Sequence, residues 1–122
     1  MANILLIDDD VFFREVLLHM LQKDGHIVTE AHDGVKALAL LGRLRPDVII
    51  TDILMPHMDG VELITELSRQ CNQTPVIAMS GGRRSITAAF NLESAKLMGV
   101  KVTLTKPIGH SALTAALREV LG

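Results

Sequence analysis

The chain has 122 residues, of which 48% are apolar and 21% charged, and its formal net charge is −2. That is room for one domain with a sizeable core; it argues against disorder and leaves no basic footprint for nucleic acid and no polybasic membrane patch. A single cysteine, Cys71, excludes an internal disulfide and suits a reducing compartment, and three Phe with no Trp or Tyr leave the core to Leu, Ile, Val, Ala and Met.

Along the chain, five short apolar runs alternate with segments of helical period. The first run, Ile4-Leu5-Leu6-Ile7, follows Met1-Ala2-Asn3, which does not read as a secretory signal. No run approaches the length of a membrane span, so a cytoplasmic domain with no membrane partner is expected. Asp8, Asp9 and Asp10 follow, with Asp10 placed to cap a helix carrying Phe12, Phe13, Val16, Leu17, Met20 and Leu21 and closed by Gly25. The second run, Ile27-Val28, leads to a helix on Val35, Leu38, Ala39 and Leu41 that ends at Gly42 and Pro46. The third, Val48-Ile49-Ile50, leads to Asp52. After the turn Met58-Asp59-Gly60 a third helix carries Val61, Leu63, Ile64 and Leu67.

The fourth run, from Pro75 to Met79, ends in Ser80 and is followed by Gly81-Gly82-Arg83-Arg84, which reads as a solvated loop whose paired glycines free the backbone. A fourth helix is expected from Ser85 to Met98, broken by Gly99. The fifth run, Val100 to Leu104, precedes Lys106-Pro107 and a last helix on Leu113, Ala116, Leu117, Val120 and Leu121. The first, third and fourth runs are continuous, as strands buried on both faces are, whereas the second and fifth mix in polar residues, as edge strands do. Five alternating β and α units, with no internal repeat or linker, imply one α/β domain over residues 1–122: a doubly wound parallel sheet with helices on both faces.

In such sheets a ligand sits beyond the carboxyl ends of the strands. Four of the five runs end there in residues suited to phosphate chemistry: Asp8 with Asp9 and Asp10, then Asp52, Ser80 and Lys106. Singly, each has an ordinary reading: Asp10 as a cap, Ser80 as loop chemistry, Lys106 as a surface lysine. Their convergence carries the signal. Like charges ~4 Å apart repel by ~4 kcal/mol at an effective dielectric of ~20, so Asp8, Asp9 and Asp52 call for raised pKa values or a cation. Mg²⁺ suits a few carboxylates, retained waters and phosphate oxygens. A carboxylate nucleophile can accept a phosphoryl group as an acyl phosphate, with lysine and metal neutralising charge and the Ser80 hydroxyl bonding the new oxygens.

Four segments, Ile7-Asp8-Asp9-Asp10, Asp47 to Gly60 with its D-x-x-M-P-x-M-D-G pattern, Pro75 to Ser80, and Thr105-Lys106-Pro107, resemble the response-regulator receiver family of two-component signalling over essentially the whole chain. The resemblance implies a flavodoxin-like (βα)5 fold with strand order 2-1-3-4-5 and no enzymatic role beyond the domain's own phosphorylation and slow dephosphorylation. It makes Asp52 the phosphoacceptor and Asp8 and Asp9 the organisers of Mg²⁺, with Asp52 and the Leu54 carbonyl as further ligands. Ser80 becomes the switch hydroxyl and Lys106 the phosphoryl contact, with a cis bond before Pro107. Expected partners are a histidine kinase or phosphotransfer protein and a downstream protein, with homodimerisation on activation and no direct nucleic acid contact. Phosphorylation is expected to shift the loop after Ser80 and the face formed by the fourth helix, fifth strand and fifth helix.

Two features depart from the family pattern. Thr103 stands where many members carry an aromatic, and the stretch from Ser80 to Lys106 is about four residues longer than usual. Among competing readings, an Asp-nucleophile phosphatase would need a second acid at position 54, where Leu stands, and a cap to hold its substrate. A non-phosphorylated, receiver-like binding module would typically have lost one of the acids or the lysine. His19, His26, His32, His57 and His110 lack metal-ligand spacing and read as surface or boundary residues. Ending at Gly122, the chain is expected to be a stand-alone regulator or an excised receiver.

Overall fold

The computed structural model describes residues 1–53, 58, 60–81 and 100–122. The expected fourth helix, Ser85 to Met98, and the residues Gly82, Arg83 and Arg84 lie outside them. Five strands, β1 (Asn3–Ile7), β2 (Ile27–Ala31), β3 (Val48–Asp52), β4 (Val76–Ser80) and β5 (Val102–Thr105), form one sheet in the order β2-β1-β3-β4-β5. All four pairings are parallel. The helices are α1 (Val11–Lys23), α2 (Gly34–Leu41), α3 (Gly60–Arg69) and, at the C-terminus, α4 (His110–Leu121). The α/β doubly wound, flavodoxin-like expectation with strand order 2-1-3-4-5 is met.

Strand burial follows from composition. From Ile4 to Ile7 in β1, and throughout β3 and β4, every residue is buried, whereas the edges β2 and β5 are mostly half-exposed. Because side chains alternate across a sheet, the continuous apolar runs feed two cores. Leu5, Ile7, Ile49 and Ala78 pack with Ala37 and Leu41 of α2 and Leu63, Ile64 and Leu67 of α3. Ile4, Leu6, Val48, Ile50, Ile77 and Met79 pack with Leu17 and Leu21 of α1 and Leu113, Ala116 and Leu117 of α4.

Helix ends obey local chemistry. The Asp10 carboxylate accepts from the Phe13 amide at 3.1 Å, capping α1 as expected, and Gly25 follows its C-cap with φ +88°. Asp33, which the sequence reading passed over, caps α2 through the Lys36 amide at 2.8 Å.

The buried stripes are narrower than the apolar ones. Leu17 and Leu21 are buried, but Phe12 is 86% exposed and Val16 is also exposed, because at ~100° per residue they sit about 140° and 100° round from Leu17. In α2 the inward positions are Gly34, Ala37 and Leu41, and Val35 is exposed. Strand β5 begins two residues later than its apolar run; Val100 is buried ahead of it, and the Lys101 amide joins the Val76 carbonyl at 3.1 Å.

Candidate functional site

Register assembles the site. Ile7 pairs with Thr51, so the next residues, Asp8 and Asp52, stand level at the carboxyl end of the sheet. Asp52 pairs with Met79, one residue before Ser80, and Ser80 pairs with Thr105, one before Lys106. The Lys106 amide donates to the Ser80 carbonyl at 2.7 Å, and the Lys106–Pro107 peptide is cis, as the resemblance implied.

At the centre lies the Lys106 ammonium. It donates to Asp8 Oδ2 at 2.8 Å and Asp52 Oδ2 at 3.0 Å, and its side chain is only 15% exposed. Burial by itself pulls the ammonium toward its neutral form. The hydrogen bond to Asp8, the charges of Asp52 and Asp8 and the hydrogen bond to Asp52 together outweigh that, so Lys106 is held above its ordinary 10.5. Asp8 and Asp52 are buried and Asp9 is exposed, yet each offers a carboxylate oxygen, and these oxygens lie within 4.8 Å of one another.

Among the described residues, the clustered carboxylates of Asp8, Asp9 and Asp52 outnumber the lysine that pairs with two of them. An all-oxygen set of carboxylates is what a hard ion such as Mg²⁺ takes, so the donor set fits that metal. Among the described residues, none of the four histidines joins such a cluster: His26 Nδ1 accepts from the Ala2 amide at 3.1 Å, His110 pairs with Asp24 at 2.7 Å, His32 lies 3.5 Å from Asp33 and His19 is exposed.

The remaining polar groups are placed around this centre. Ser80 Oγ is buried and, among the described residues, has no hydrogen-bond partner, so its hydroxyl is available to a group entering the site. The Asp10 amide donates to Asp8 Oδ1 at 2.9 Å. Gly60 starts α3 directly under the end of β3; a Cβ there would fall 2.5 Å from the Asp52 carbonyl oxygen and 2.8 Å from Ile53 Cα. Its amide donates to the Ile53 carbonyl at 2.7 Å, which brings α3 against the end of β3.

Of the expected site residues, Asp8, Asp9, Asp52 and Lys106 are brought together, and Ser80 sits on the neighbouring strand end. Leu54, with its carbonyl, lies outside the described residues, as do Met55, Pro56, His57 and Asp59.

Sequence reasoning missed Arg14, whose guanidinium donates from Nη1 to the Asp8 carbonyl at 2.6 Å and from Nε to Glu30 at 2.9 Å. It also missed Phe13 as a neighbour of Lys106, with the ammonium 4.1 Å from the ring centroid. The available signal was position: both residues lie in the first turn of a helix that starts immediately after the acidic cluster.

Similarity to known proteins agrees with this geometry. The family profile of the response regulator receiver domain matches residues 4–118. The chain is 36% identical over 121 residues to the transcriptional regulatory protein CpxR of Klebsiella pneumoniae, covering 99% of this chain and 50% of that protein. It is 32% identical over 120 residues to the response regulator MprA of Mycobacterium tuberculosis, covering 98% of this chain and 50% of that protein. The chain thus spans about half the length of these curated relatives. Among solved structures, it is similar to the chemotaxis response regulator CheY4 of Vibrio cholerae, with a TM-score of 0.86, 33% identity and 99% of both chains covered. With the profile covering nearly the whole chain and the carboxylates, serine and lysine at its strand ends, this protein belongs to the response regulator receiver family, whose members are regulatory phosphoacceptors in two-component signalling.

Proposed function

We propose that residues 1–122 act as one receiver domain in which Asp52 accepts a phosphoryl group from a histidine kinase or phosphotransfer protein and later loses it by self-catalysed hydrolysis. The observation that carries this reading is the Lys106 ammonium bridging Asp8 and Asp52 beside a third carboxylate, that of Asp9.

An Asp52 carboxylate oxygen attacks phosphorus of the donor phosphohistidine. The P–N bond breaks, the imidazole leaves with its electron pair and takes a proton, and an acyl phosphate forms on Asp52. Lys106 follows the charge: it already touches the attacking carboxylate and lies one residue past the partner of Ser80. The Ser80 hydroxyl donates to a phosphoryl oxygen, which gives its buried Oγ a partner. Asp8, Asp9 and Asp52, with the Leu54 carbonyl, would hold Mg²⁺. That ion supplies charge neutralisation for the transferring group. In hydrolysis, water attacks the same phosphorus, the P–O bond to Asp52 breaks with its electron pair on the restored carboxylate, and inorganic phosphate leaves with the water's oxygen.

Thr103 occupies the middle of β5, paired with Ala78, so output through this strand proceeds without an aromatic rotamer there. The output fits protein contact, including homodimerisation on activation, better than direct nucleic acid binding, given a net charge of −2. Among the described residues no helix is long and apolar enough to cross a membrane.

Intact mass after incubation with acetyl phosphate tests the reading. One phosphoryl group added only with Mg²⁺ present, and absent in Asp52→Asn, is the expected result. No adduct under a fast quench would instead favour a non-phosphorylated binding module.

A further inference from the structure

The three hydrogens of the Lys106 ammonium have three neighbours: Asp8 Oδ2 at 2.8 Å, Asp52 Oδ2 at 3.0 Å, and the ring of Phe13, with Nζ 4.1 Å from its centroid. An ammonium that close to a ring centroid is attracted by the negative face of the aromatic quadrupole, and the attraction is strongest where water is excluded. Lys106 meets that condition, with a side chain 15% exposed.

The ring is held from two directions. Its backbone amide is fixed by the Asp10 cap at 3.1 Å, and its side chain packs half-buried against the core formed by β1, β3, β4, α1 and α4. Phe12, its neighbour, is 86% exposed and shares none of this. Identical side chains in adjacent positions therefore do different things.

Resting on the proposed phosphoacceptor role of Asp52, we propose that Phe13 is a positioning residue for Lys106, its ring serving as an uncharged seat that keeps the ammonium at the Asp8–Asp52 edge. The absence of formal charge matters. A third carboxylate in that position would hold the lysine as firmly but would repel an incoming phosphoryl group, whereas a ring face attracts the ammonium and leaves its full charge for the phosphoryl oxygens. An aliphatic side chain of similar bulk would fill the space without attracting the cation. Phosphorylation turns one Asp52 carboxylate oxygen into the bridging oxygen of an acyl phosphate, removes the carboxylate's charge and weakens that hydrogen bond. The seat on Phe13 keeps the lysine in place as its partner changes.

The test compares Phe13→Leu, Phe13→Tyr and Phe12→Leu with the wild type. In the unphosphorylated protein, NMR should show the Lys106 Hε protons shifted upfield by the ring current, with cross-peaks to the Phe13 ring protons. The shift should be lost in Phe13→Leu and kept in Phe13→Tyr and Phe12→Leu. The rate of adduct formation from acetyl phosphate should fall about fivefold in Phe13→Leu and stay within about twofold in the other two.

The proposal is overturned if the wild-type Lys106 Hε protons show neither the shift nor the cross-peaks, a measurement that needs no variant to fold and no phosphoryl transfer. It is equally overturned if a folded Phe13→Leu phosphorylates at the wild-type rate. Absence of adduct in every variant, with the NMR contact present, would refute the phosphoacceptor reading and leave the seat standing.

Discussion

Replacing Lys106 by Met keeps most of the aliphatic stem and removes the ammonium that pairs with both the Asp8 and the Asp52 carboxylates. Carboxylate oxygens within 4.8 Å repel, at that distance, by ~3.5 kcal/mol per pair of charges at an effective dielectric of ~20. The ammonium, at 2.8 and 3.0 Å from its two partners, offsets part of that repulsion.

Breaking a buried pair by removing one partner costs about 3–5 kcal/mol, and the exposure of Asp9 to water places this site near the lower end, ~3 kcal/mol. For a chain of 122 residues the unfolding entropy near 60 °C is ~0.26 kcal/mol/K, so Tm should fall by about 12 °C. Thermal unfolding followed by far-UV circular dichroism is the assay, since the chain has no Trp or Tyr for fluorescence.

Metal and pH should both change the difference in stability. Adding Mg²⁺ should narrow the gap between the proteins, because the ion binds the folded carboxylates and the variant has lost their competing cation. Lys106 is held above its ordinary 10.5, so its contribution is complete below about pH 10.5 and is lost as pH rises through the folded value; the gap should close there. A Lys106→Met protein as stable as the wild type at pH 7 without metal would refute the reasoning, because the ammonium would then not be what offsets the clustered charge.

Gly60→Ala should destabilise the fold by about 2 kcal/mol in urea titrations, since the new Cβ meets backbone at 2.5 and 2.8 Å and the end of β3 would have to move; a neutral result would mean α3 is not seated against Asp52. Cys71 ends α3 with φ 56°, its amide on the Ser68 carbonyl and the Asn72 amide on the Leu67 carbonyl, an arrangement that favours glycine. Cys71→Gly should therefore stabilise by about 0.5–1 kcal/mol, whereas Cys71→Ala, which keeps a Cβ in the left-handed region, should not. Equal stability of the two variants would sink this account.

Much of this protein was determined by its sequence alone, because its strongest signals are local. Continuous apolar runs such as Val48-Ile49-Ile50 can be satisfied only by burial on both faces, and that requirement sets β1, β3 and β4 inside a doubly wound sheet with β2 and β5 at its edges. Asp10 ahead of a helical period is likewise a local instruction, and the cap forms as written. The positions of Asp8, Asp52, Ser80 and Lys106 at run ends were also legible, since a parallel sheet carries all its strand ends to one side.

Tertiary structure decided whatever depends on separate segments meeting. Phe12 and Phe13 look equivalent on an apolar helix, and only the packing of α1 against the sheet leaves one in solvent and sets the other under the lysine. Arg14 meets the Asp8 carbonyl and Glu30 only because the turn of α1 aims it at both. Which carboxylates Lys106 bridges, across 98 and 54 residues of chain, follows from strand register, a long-range property that no sequence window contains.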